Sequence, residues 1–155
     1  MSSHNISLII PAHNESKTIG KVIREIRDAY PQSEVIVVDD GSVDNTADIA
    51  QKAGAKVCKH PYNIGNGAAI KTGIRAASGE ILVLMDGDGQ HDPADIEKLL
   101  LFLPSYDMVV GARKFSQQAS WARGFGNKTY NWLASYVAKF PVQDLTSGFR
   151  AIKAD

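Results

Sequence analysis

Strand-like apolar runs alternate with helical patterns along most of this chain. The strand-like runs cover residues 6–11, 34–38, 55–59 and 81–85. The helical patterns cover residues 16–29, 45–53, 66–77 and 92–103. Strands that are apolar on both faces are typical of parallel sheets, whose connections need helical crossovers. The order of the runs therefore predicts an α/β fold with a mostly parallel central sheet and helices on both faces.

The pattern weakens in the last third of the chain. The segment "MVVGA", residues 108–112, is expected to be a fifth strand, and the later part of residues 121–139 a helix. The last segment, "QDLTSGFRAIKAD", residues 143–155, is short. No complete closing element is expected after it.

The composition is that of one ordinary globular domain. A length of 155 residues suits a single domain, residues 1–155, with a core of its own. Lys and Arg number 17, as do Asp and Glu, so no net charge attracts nucleic acid. We therefore expect no nucleic-acid partner. The sequence leaves the oligomeric state open.

Cysteine content and hydropathy indicate the compartment. Cys58 is the only cysteine, which excludes an internal disulfide and a cysteine-based zinc site. The polar start "MSSHN" does not fit a signal peptide, and no apolar run approaches the roughly 20 residues that span a bilayer. We expect a cytoplasmic protein, either soluble or peripheral at the cytoplasmic membrane face.

Polar clusters follow three of the predicted strands. They are "AHNES" (residues 12–16), "DDGSVDNT" (residues 39–46) and "DGDGQHD" (residues 86–92). The carboxyl ends of parallel strands meet at one edge of the sheet, where ligands bind in such folds. The three clusters therefore predict a single ligand site at that edge.

The third cluster has the character of a metal site. Asp86 and Asp88 stand one residue apart at a strand end, where their charges repel unless a cation lies between them. Carboxylate oxygens suit Mg²⁺ or Mn²⁺, and Mg²⁺ is usually held by one or two carboxylates together with ligand phosphates. Gly87 and Gly89 permit a tight backbone beside a bulky ligand.

A calcium-binding EF-hand is the competing interpretation of this cluster. Asp86, Asp88 and Gln90 would fill positions 1, 3 and 5, and Glu97 would fill position 12. Position 6, however, holds His91 where the motif needs Gly, and a strand-like run precedes the loop where the motif needs a helix. The EF-hand therefore fits less well than the metal–phosphate site.

Two further features concern the loops. The segment "GNGAAI", residues 65–70, imitates a dinucleotide fingerprint only in part, and is better explained as a turn whose backbone N–H groups can bind an anion. Among the histidines, His13 and His91 lie in the site loops, whereas His4 and His60 are expected to be solvated.

Six motifs in register resemble one known family. They are "PAHNES", "VIVVDDGSVDNT", "YNIGNGAAIKTGI", "ILVLMDGDGQHDP", "VVGAR" and "DLTSGFR", between Ile6 and Ile152. The chain resembles the family 2 glycosyltransferases, and within them the dolichyl-phosphate or polyprenyl-phosphate mannosyl and glucosyl transferases. The resemblance implies a GT-A fold and a metal-dependent enzyme.

The resemblance also implies a reaction. It is the inverting transfer of a sugar from a nucleotide-diphosphate donor, of the GDP-mannose or UDP-glucose class, to a polyprenyl phosphate at the membrane surface. Two alternatives stay open. One is a family 2 transferase that acts on a carbohydrate hydroxyl in polysaccharide or glycolipid synthesis, and the other is a non-catalytic nucleotide-binding domain fragment.

Carried over by position, the resemblance assigns the donor side of the site. The residues that would border the nucleotide are Pro11, Ala12, Asn14, Glu15, Asp39, Asp40 and Asp86. Asp86 and Asp88 would form the D-x-D motif that holds Mg²⁺ or Mn²⁺, with Gln90 as a further ligand or a neighbour of one.

The resemblance also assigns residues to the catalytic and acceptor side of the site. Arg113 and Arg123 correspond to arginines that face phosphate, and Asp144 corresponds to a proposed catalytic base. Ser147 and Arg150 belong to the S-G-F-R segment beside the acceptor.

Two departures from the family pattern stand out. Asn66 occupies a position where relatives often carry a basic residue, so one nucleotide contact is expected to be missing. The chain also stops five residues after Arg150, whereas relatives continue through helices that contact the membrane. We expect those C-terminal helices to be lacking here.

Overall fold

A computed structural model describes residues 5–111 and 147–154 of the chain. The strands are β1 (Ile6–Ala12), β2 (Glu34–Asp39), β3 (Lys56–Lys59), β4 (Ile81–Leu84), β5 (Met108–Val110) and β6 (Arg150–Lys153). The helices are α1 (Ile19–Ala29), α2 (Thr46–Lys52), α3 (Asn66–Ala76) and α4 (Ile96–Phe102), with short 3-10 turns at Pro93–Asp95 and Leu103–Ser105 around α4. The predicted alternation of strands and helices is confirmed.

The six strands form one sheet in the order β3-β2-β1-β4-β6-β5. Strands β1 to β4 are mutually parallel, as predicted. The chain places β2 and β3 on one side of β1 and then crosses to place β4 on the other. The strand order therefore reverses between β1 and β4, and it is at such a reversal that ligands bind in open α/β sheets.

Strand β6, within the short last segment of the chain, was not predicted from the sequence. Strand β6 lies between β4 and β5 and is antiparallel to both, with Arg150 paired to Leu84 on one side and to Val110 on the other. Only four residues long, β6 has no periodicity that reveals it. Its place depends on pairing with strands far away in the sequence, which a local pattern does not report.

Helices cover both faces of the sheet, as predicted. Helices α1, α2 and α4 pack on one face over the larger core. On the other face, Ile70 of α3 packs on Ile9, Leu82 and Leu84. Helix α3 comes unusually close to β1 at Gly73, where an added Cβ would lie 2.2 Å from the Ile9 side chain.

Helix α1 illustrates how sequence spacing becomes packing. Its apolar residues recur every three or four positions, so they share one buried face: Ile19, Val22, Ile23 and Ile26. The helix begins at Ile19, three residues later than predicted, because the backbone before it forms a turn in which Thr18 and Ile19 donate to the Glu15 carbonyl. In the described parts of the chain, no helix is both long and apolar enough to cross a membrane.

Glu34, at the start of β2, introduces a pH dependence of stability. Burial alone would raise its pKa, but hydrogen bonds from Ser7, Ser78 and Lys56 outweigh this and lower the pKa from 4.5 to about 2. A lowered pKa in the folded state means that ionised Glu34 stabilises the fold above pH 4.5. This contribution is lost as the pH falls towards 2.

We therefore expect the melting temperature of Glu34→Gln to depend less on pH under acidic conditions than that of the wild type. The drop in melting temperature between pH 5.5 and pH 3 should be smaller in the variant than in the wild type, as measured by circular dichroism. Lys21→Gln, in an exposed ion pair with Glu25, is the control and should leave the drop unchanged. An equal drop in all three proteins would contradict the role of Glu34.

Candidate functional site

The loops that follow β1 and β2 are joined by hydrogen bonds. The Asn14 amide donates to the Ser42 hydroxyl at 2.9 Å, and the Val43 amide donates to the Asn14 side-chain oxygen at 2.9 Å. The Glu15 amide donates to the Thr46 hydroxyl at 2.8 Å. Asn14 adopts a positive φ of 57°, a conformation that asparagine tolerates better than most residues. Two of the predicted polar clusters thus form one unit.

Asp44 completes this junction. Its carboxylate accepts hydrogen bonds from the Thr46 hydroxyl and amide and from the Ser16 amide. Led by the bond from Thr46, these contacts lower the pKa of Asp44 to about 2. Asp44 is therefore ionised at neutral pH, and its charge is used to hold loop backbone.

Asp40 lies at the centre of the described site and is buried. Its carboxylate accepts from His60 Nδ1 at 2.7 Å, from the Ile64 amide at 2.9 Å and from the Gly65 amide at 2.7 Å. Burial raises the pKa of Asp40, but the hydrogen bond from His60 and those from the two amides outweigh it, so the pKa lies below its ordinary value. Asp40 is therefore a buried carboxylate with three donors.

The Gly65 amide, one of the amides of residues 65–70 that were predicted to be available to an anion, donates to the Asp40 carboxylate. The contacts of Asp40 correct one prediction. His60 was expected to be solvated, yet its side chain is 10% exposed and bonded to Asp40. A lone histidine between a strand and a loop carries no sequence signal for such a contact.

Asp39, the neighbour of Asp40, is also buried. Its side chain accepts from the Ser42 amide at 3.3 Å, and its carbonyl accepts from the His60 amide at 2.9 Å. Both aspartates therefore hold loop backbone in this structure. Their predicted contacts with a nucleotide stay predictions.

A cavity of about 240 Å³ opens beside these loops. Its lining residues are Pro11, Ala12, His13, Asp40, Asn63, Asn66 and Ala69. Three of the predicted nucleotide residues, Pro11, Ala12 and Asp40, thus share one cavity. His13 was expected in a site loop, whereas Asn63 and Ala69 were not predicted. Asn63 precedes the turn at residues 65–70. Its place in the loop after strand β3 is the sequence feature that could have indicated a site residue.

The loop after β4 carries the predicted metal ligands. Asp86 is partly exposed, and Asp88 and Gln90 are exposed. The Asp88 carboxylate accepts from the Gln90 amide at 2.9 Å, which folds the loop into a tight turn. The Thr18 hydroxyl donates to the Gly87 carbonyl at 3.0 Å, so this loop is tied to the loop after β1. All three polar clusters therefore meet at one edge of the sheet, as predicted.

The donor set suits a cation shared with a ligand. Among the described residues, no group of three or more His, Cys, Asp or Glu side chains could hold a metal ion by itself. Two carboxylates, Asp86 and Asp88, fit the manner in which Mg²⁺ is held together with substrate phosphates. The EF-hand does not fit, because strand β4 precedes the loop and a 3-10 turn at Pro93–Asp95 follows it.

The S-G-F-R segment forms a wall against the metal loop. A Cβ added to Gly148 would lie 2.7 Å from both carboxylate oxygens of Asp86, so a larger residue would displace that carboxylate from its present position. The His91 ring stacks on Phe149 with 4.9 Å between centroids and 14° between planes. Nε2 of His91 lies 3.6 Å from an Asp86 oxygen. The wall and the loop are thus in direct contact.

Ser147 fastens this wall to the end of β5. Its buried hydroxyl donates to the Gly111 carbonyl at 2.6 Å, and the Gly111 amide donates to the Phe149 carbonyl at 2.9 Å. Arg150 donates from Nε to the Ser147 carbonyl at 2.9 Å. The predicted contacts of Ser147 and Arg150 with an acceptor stay predictions.

Three predicted catalytic residues lie outside the described part of the chain. They are Arg113, Arg123 and Asp144. Their assigned roles rest on the resemblance in sequence.

Comparison with known proteins identifies the family. Residues 7–155 match the sequence model of glycosyl transferase family 2. The chain is a family 2 glycosyltransferase. The resemblance seen in the motifs is confirmed.

Two known proteins are similar to this chain in sequence over nearly its whole length. An uncharacterized protein of Methanocaldococcus jannaschii is 35% identical over 97% of the chain. The undecaprenyl-phosphate mannosyltransferase of Micrococcus luteus is 32% identical over 95% of the chain. The chain spans 65% of the length of each of these relatives.

A solved structure supports the GT-A fold. The glucosyl-3-phosphoglycerate synthase of Mycobacterium tuberculosis, solved with Mn²⁺, uridine diphosphate and glucosyl-3-phosphoglycerate, superposes with a TM-score of 0.79 at 27% identity. The match covers 98% of our family 2 glycosyltransferase and 57% of that protein. The predicted fold class is confirmed.

Proposed function

We propose that residues 1–155 act as a glycosyltransferase catalytic domain that transfers a sugar, with inversion, from a nucleotide-diphosphate donor to a polyprenyl phosphate. The donor is of the GDP-mannose or UDP-glucose class. The observation that carries the proposal is the meeting of three loops at the reversal between β1 and β4. The loops after β1 and β2 border a cavity, and the loop after β4 carries a pair of carboxylates.

The relatives support this reaction class. One relative is named for the transfer of mannose to undecaprenyl phosphate, and a structural neighbour was solved with Mn²⁺ and uridine diphosphate. Only the second of these names a nucleotide, so the two support a glycosyl donor more firmly than one particular base. Lipid phosphate is proposed as the acceptor because the undecaprenyl-phosphate mannosyltransferase, which is named for it, is more similar to this chain in sequence than the structural neighbour is.

Asp86 and Asp88 would hold Mg²⁺ or Mn²⁺ together with the donor diphosphate. A bound divalent ion neutralises the charge that develops on the departing nucleotide diphosphate. Two contacts of the described residues support this proposal: Gly148 leaves room for the Asp86 carboxylate, and the Gln90 amide donates to that of Asp88. Arg113 and Arg123 would add phosphate contacts, since arginine binds phosphate oxygens bidentately.

The chemistry of the acceptor determines how much the reaction needs a general base. A phosphomonoester has a second pKa near 6, so a lipid phosphate is already an anionic nucleophile at neutral pH. Asp144, the proposed base, would then contribute less than it does for a sugar hydroxyl, for which a positioned base is worth about 10²–10⁴-fold. Polyprenyl phosphate resides in membranes, so we place the reaction at the cytoplasmic membrane face.

Nucleotide binding offers the first test. We expect GDP or UDP to raise the melting temperature, and to raise it further when Mn²⁺ is present. A ligand at 100 times its Kd adds about 2.7 kcal/mol, or roughly 5–10 °C for a chain of this size. Differential scanning fluorimetry with GDP, UDP and ADP, each with Mn²⁺ or with chelator, measures both effects. No response to any nucleotide would remove the proposal.

Transfer itself separates the remaining alternatives. The chain is incubated with labelled GDP-mannose or UDP-glucose and either polyprenyl phosphate or an oligosaccharide acceptor. Product on the lipid supports the proposal, and product on the oligosaccharide alone would replace it with a hydroxyl acceptor. Nucleotide binding without product on either acceptor would indicate a binding domain that does not turn over.

A further inference from the structure

We propose that His60 is a positioning residue for the nucleotide cavity, because it fixes the β3–α3 loop (residues 60–65), which forms one wall of that cavity. The inference rests on the proposed function for the identity of the ligand. The placement of the loop by His60 is a separate claim and is tested separately below.

The His60 ring connects three parts of the fold. Its Nδ1 lies 2.7 Å from the Asp40 carboxylate at the end of β2, and its Nε2 lies 2.9 Å from the Thr72 hydroxyl on α3. A carboxylate that is ionised only accepts, so Nδ1 carries a proton and donates to Asp40. The backbone amide of His60 also donates to the Asp39 carbonyl.

The β3–α3 loop has little else to hold it. Two of its large apolar side chains face solvent, with Tyr62 67% exposed and Ile64 50% exposed. A segment with few buried apolar contacts opens easily unless hydrogen bonds restrain it. The restraints visible here are the bonds from Ile64 and Gly65 to Asp40 and a close backbone approach between Gly41 and Tyr62.

Asp40 connects the restrained loop to the cavity. Its carboxylate holds the β3–α3 loop, which contributes Asn63 to the lining, and its carbonyl lies 2.8 Å from Nδ1 of His13, which also lines the cavity. His60 supplies Asp40 with its only side-chain donor among the described residues. Loss of that donor would leave a buried carboxylate with two amides and leave the loop less often in its binding position.

The expected loss of nucleotide affinity follows from the fraction of time that the loop spends in its binding position. If the loop occupies its binding position a tenth of the time, the apparent Kd rises tenfold. We therefore expect His60→Leu to weaken GDP or UDP binding by roughly tenfold, both with Mn²⁺ and with chelator, so that the ratio between the two conditions is unchanged. A loss confined to the Mn²⁺ condition would overturn the proposal, because it would place His60 with the metal loop.

Hydrogen exchange tests the loop directly. The amides of Ile64 and Gly65 should exchange faster in His60→Leu than in the wild type, while amides of the central strand β1 should be unchanged. Arg75→Gln, on an exposed position of α3 one turn beyond Thr72, is the control and should change neither exchange nor Kd. Unchanged protection of Ile64 and Gly65 in His60→Leu would overturn the proposal.

Two milder variants keep the test decisive if His60→Leu does not fold. His60→Asn places an amide N–H near the position of Nδ1 and loses only the contact with Thr72, whereas Thr72→Val removes that contact from the other side. Both should weaken nucleotide binding by a similar factor, about threefold, and binding at the wild-type level in both would overturn the proposal. Should the wild type bind no nucleotide, the proposed function fails, and the exchange data still decide the role of His60.

Discussion

Replacing Asp86 by asparagine is expected to abolish the part of nucleotide binding that depends on Mn²⁺. The substitution keeps the shape of the side chain and removes its charge, so the loop after β4 should keep its fold. With one carboxylate remaining at Asp88, a cation loses half of its charged protein ligands. The expected result is no extra rise in melting temperature from Mn²⁺ with GDP or UDP, and a loss of about 10²-fold or more in transfer rate.

Asp92→Asn is a matched control for this experiment. It removes the same charge from the same loop, six residues further along. The Asp92 carboxylate accepts from the Ala94 amide at the start of the 3-10 turn, a role that asparagine fills equally well. Metal-dependent binding should therefore survive in this variant. An equal loss in both variants would mean that general loop charge, and not Asp86 as a ligand, carries the effect.

Gly148→Ala should disable the same metal site without a charge change. The added methyl would lie 2.7 Å from both Asp86 oxygens, far inside van der Waals contact. The Asp86 carboxylate is short and partly exposed, so it can rotate away at small cost in stability. We expect a melting temperature close to that of the wild type and a loss of roughly 10- to 100-fold in Mn²⁺-dependent nucleotide affinity, by calorimetry. Binding with chelator is the internal control and should be preserved.

A double variant shows whether the effect passes through Asp86. If Gly148→Ala acts only by displacing that carboxylate, it should add nothing in the Asp86→Asn background, because the two changes remove the same interaction. Additive losses would instead assign Gly148 a separate role, for example in placing the acceptor.

The sheet could be predicted from the sequence because its strands are buried on both faces. Continuous apolar runs such as Ile81–Leu84 have few alternatives to a central parallel strand, and the ends of β1, β2 and β4 lie within a residue of their predicted positions. Strand β6 was missed for the opposite reason. Of its residues only Ala151 is buried, so the strand shows neither a continuous nor an alternating apolar pattern.

Residue type alone limits the chemistry at one part of the candidate site. Two carboxylates at a strand end, Asp86 and Asp88, have few structural uses, so their pattern predicts a metal, and the structure confirms only that their loop meets the other two loops. Asp40 is different, since a buried aspartate can bind a ligand or hold the protein's own backbone, and only its three donors show that it does the latter. His60 was missed because its partners Asp40 and Thr72 lie 20 and 12 residues away, at no helical or strand spacing.

The position of β6 has a consequence for the order in which the molecule assembles. Strand β5 is synthesised some 40 residues before β6, yet β6 is its only partner in the described sheet. The parallel block β1–β4 can form before β6 has been made, whereas β5 must wait for β6 before it can pair in the described sheet. Gly148 is made just before β6. The cavity side of the site can thus form early in folding, and the wall that shapes the Asp86 carboxylate forms after it.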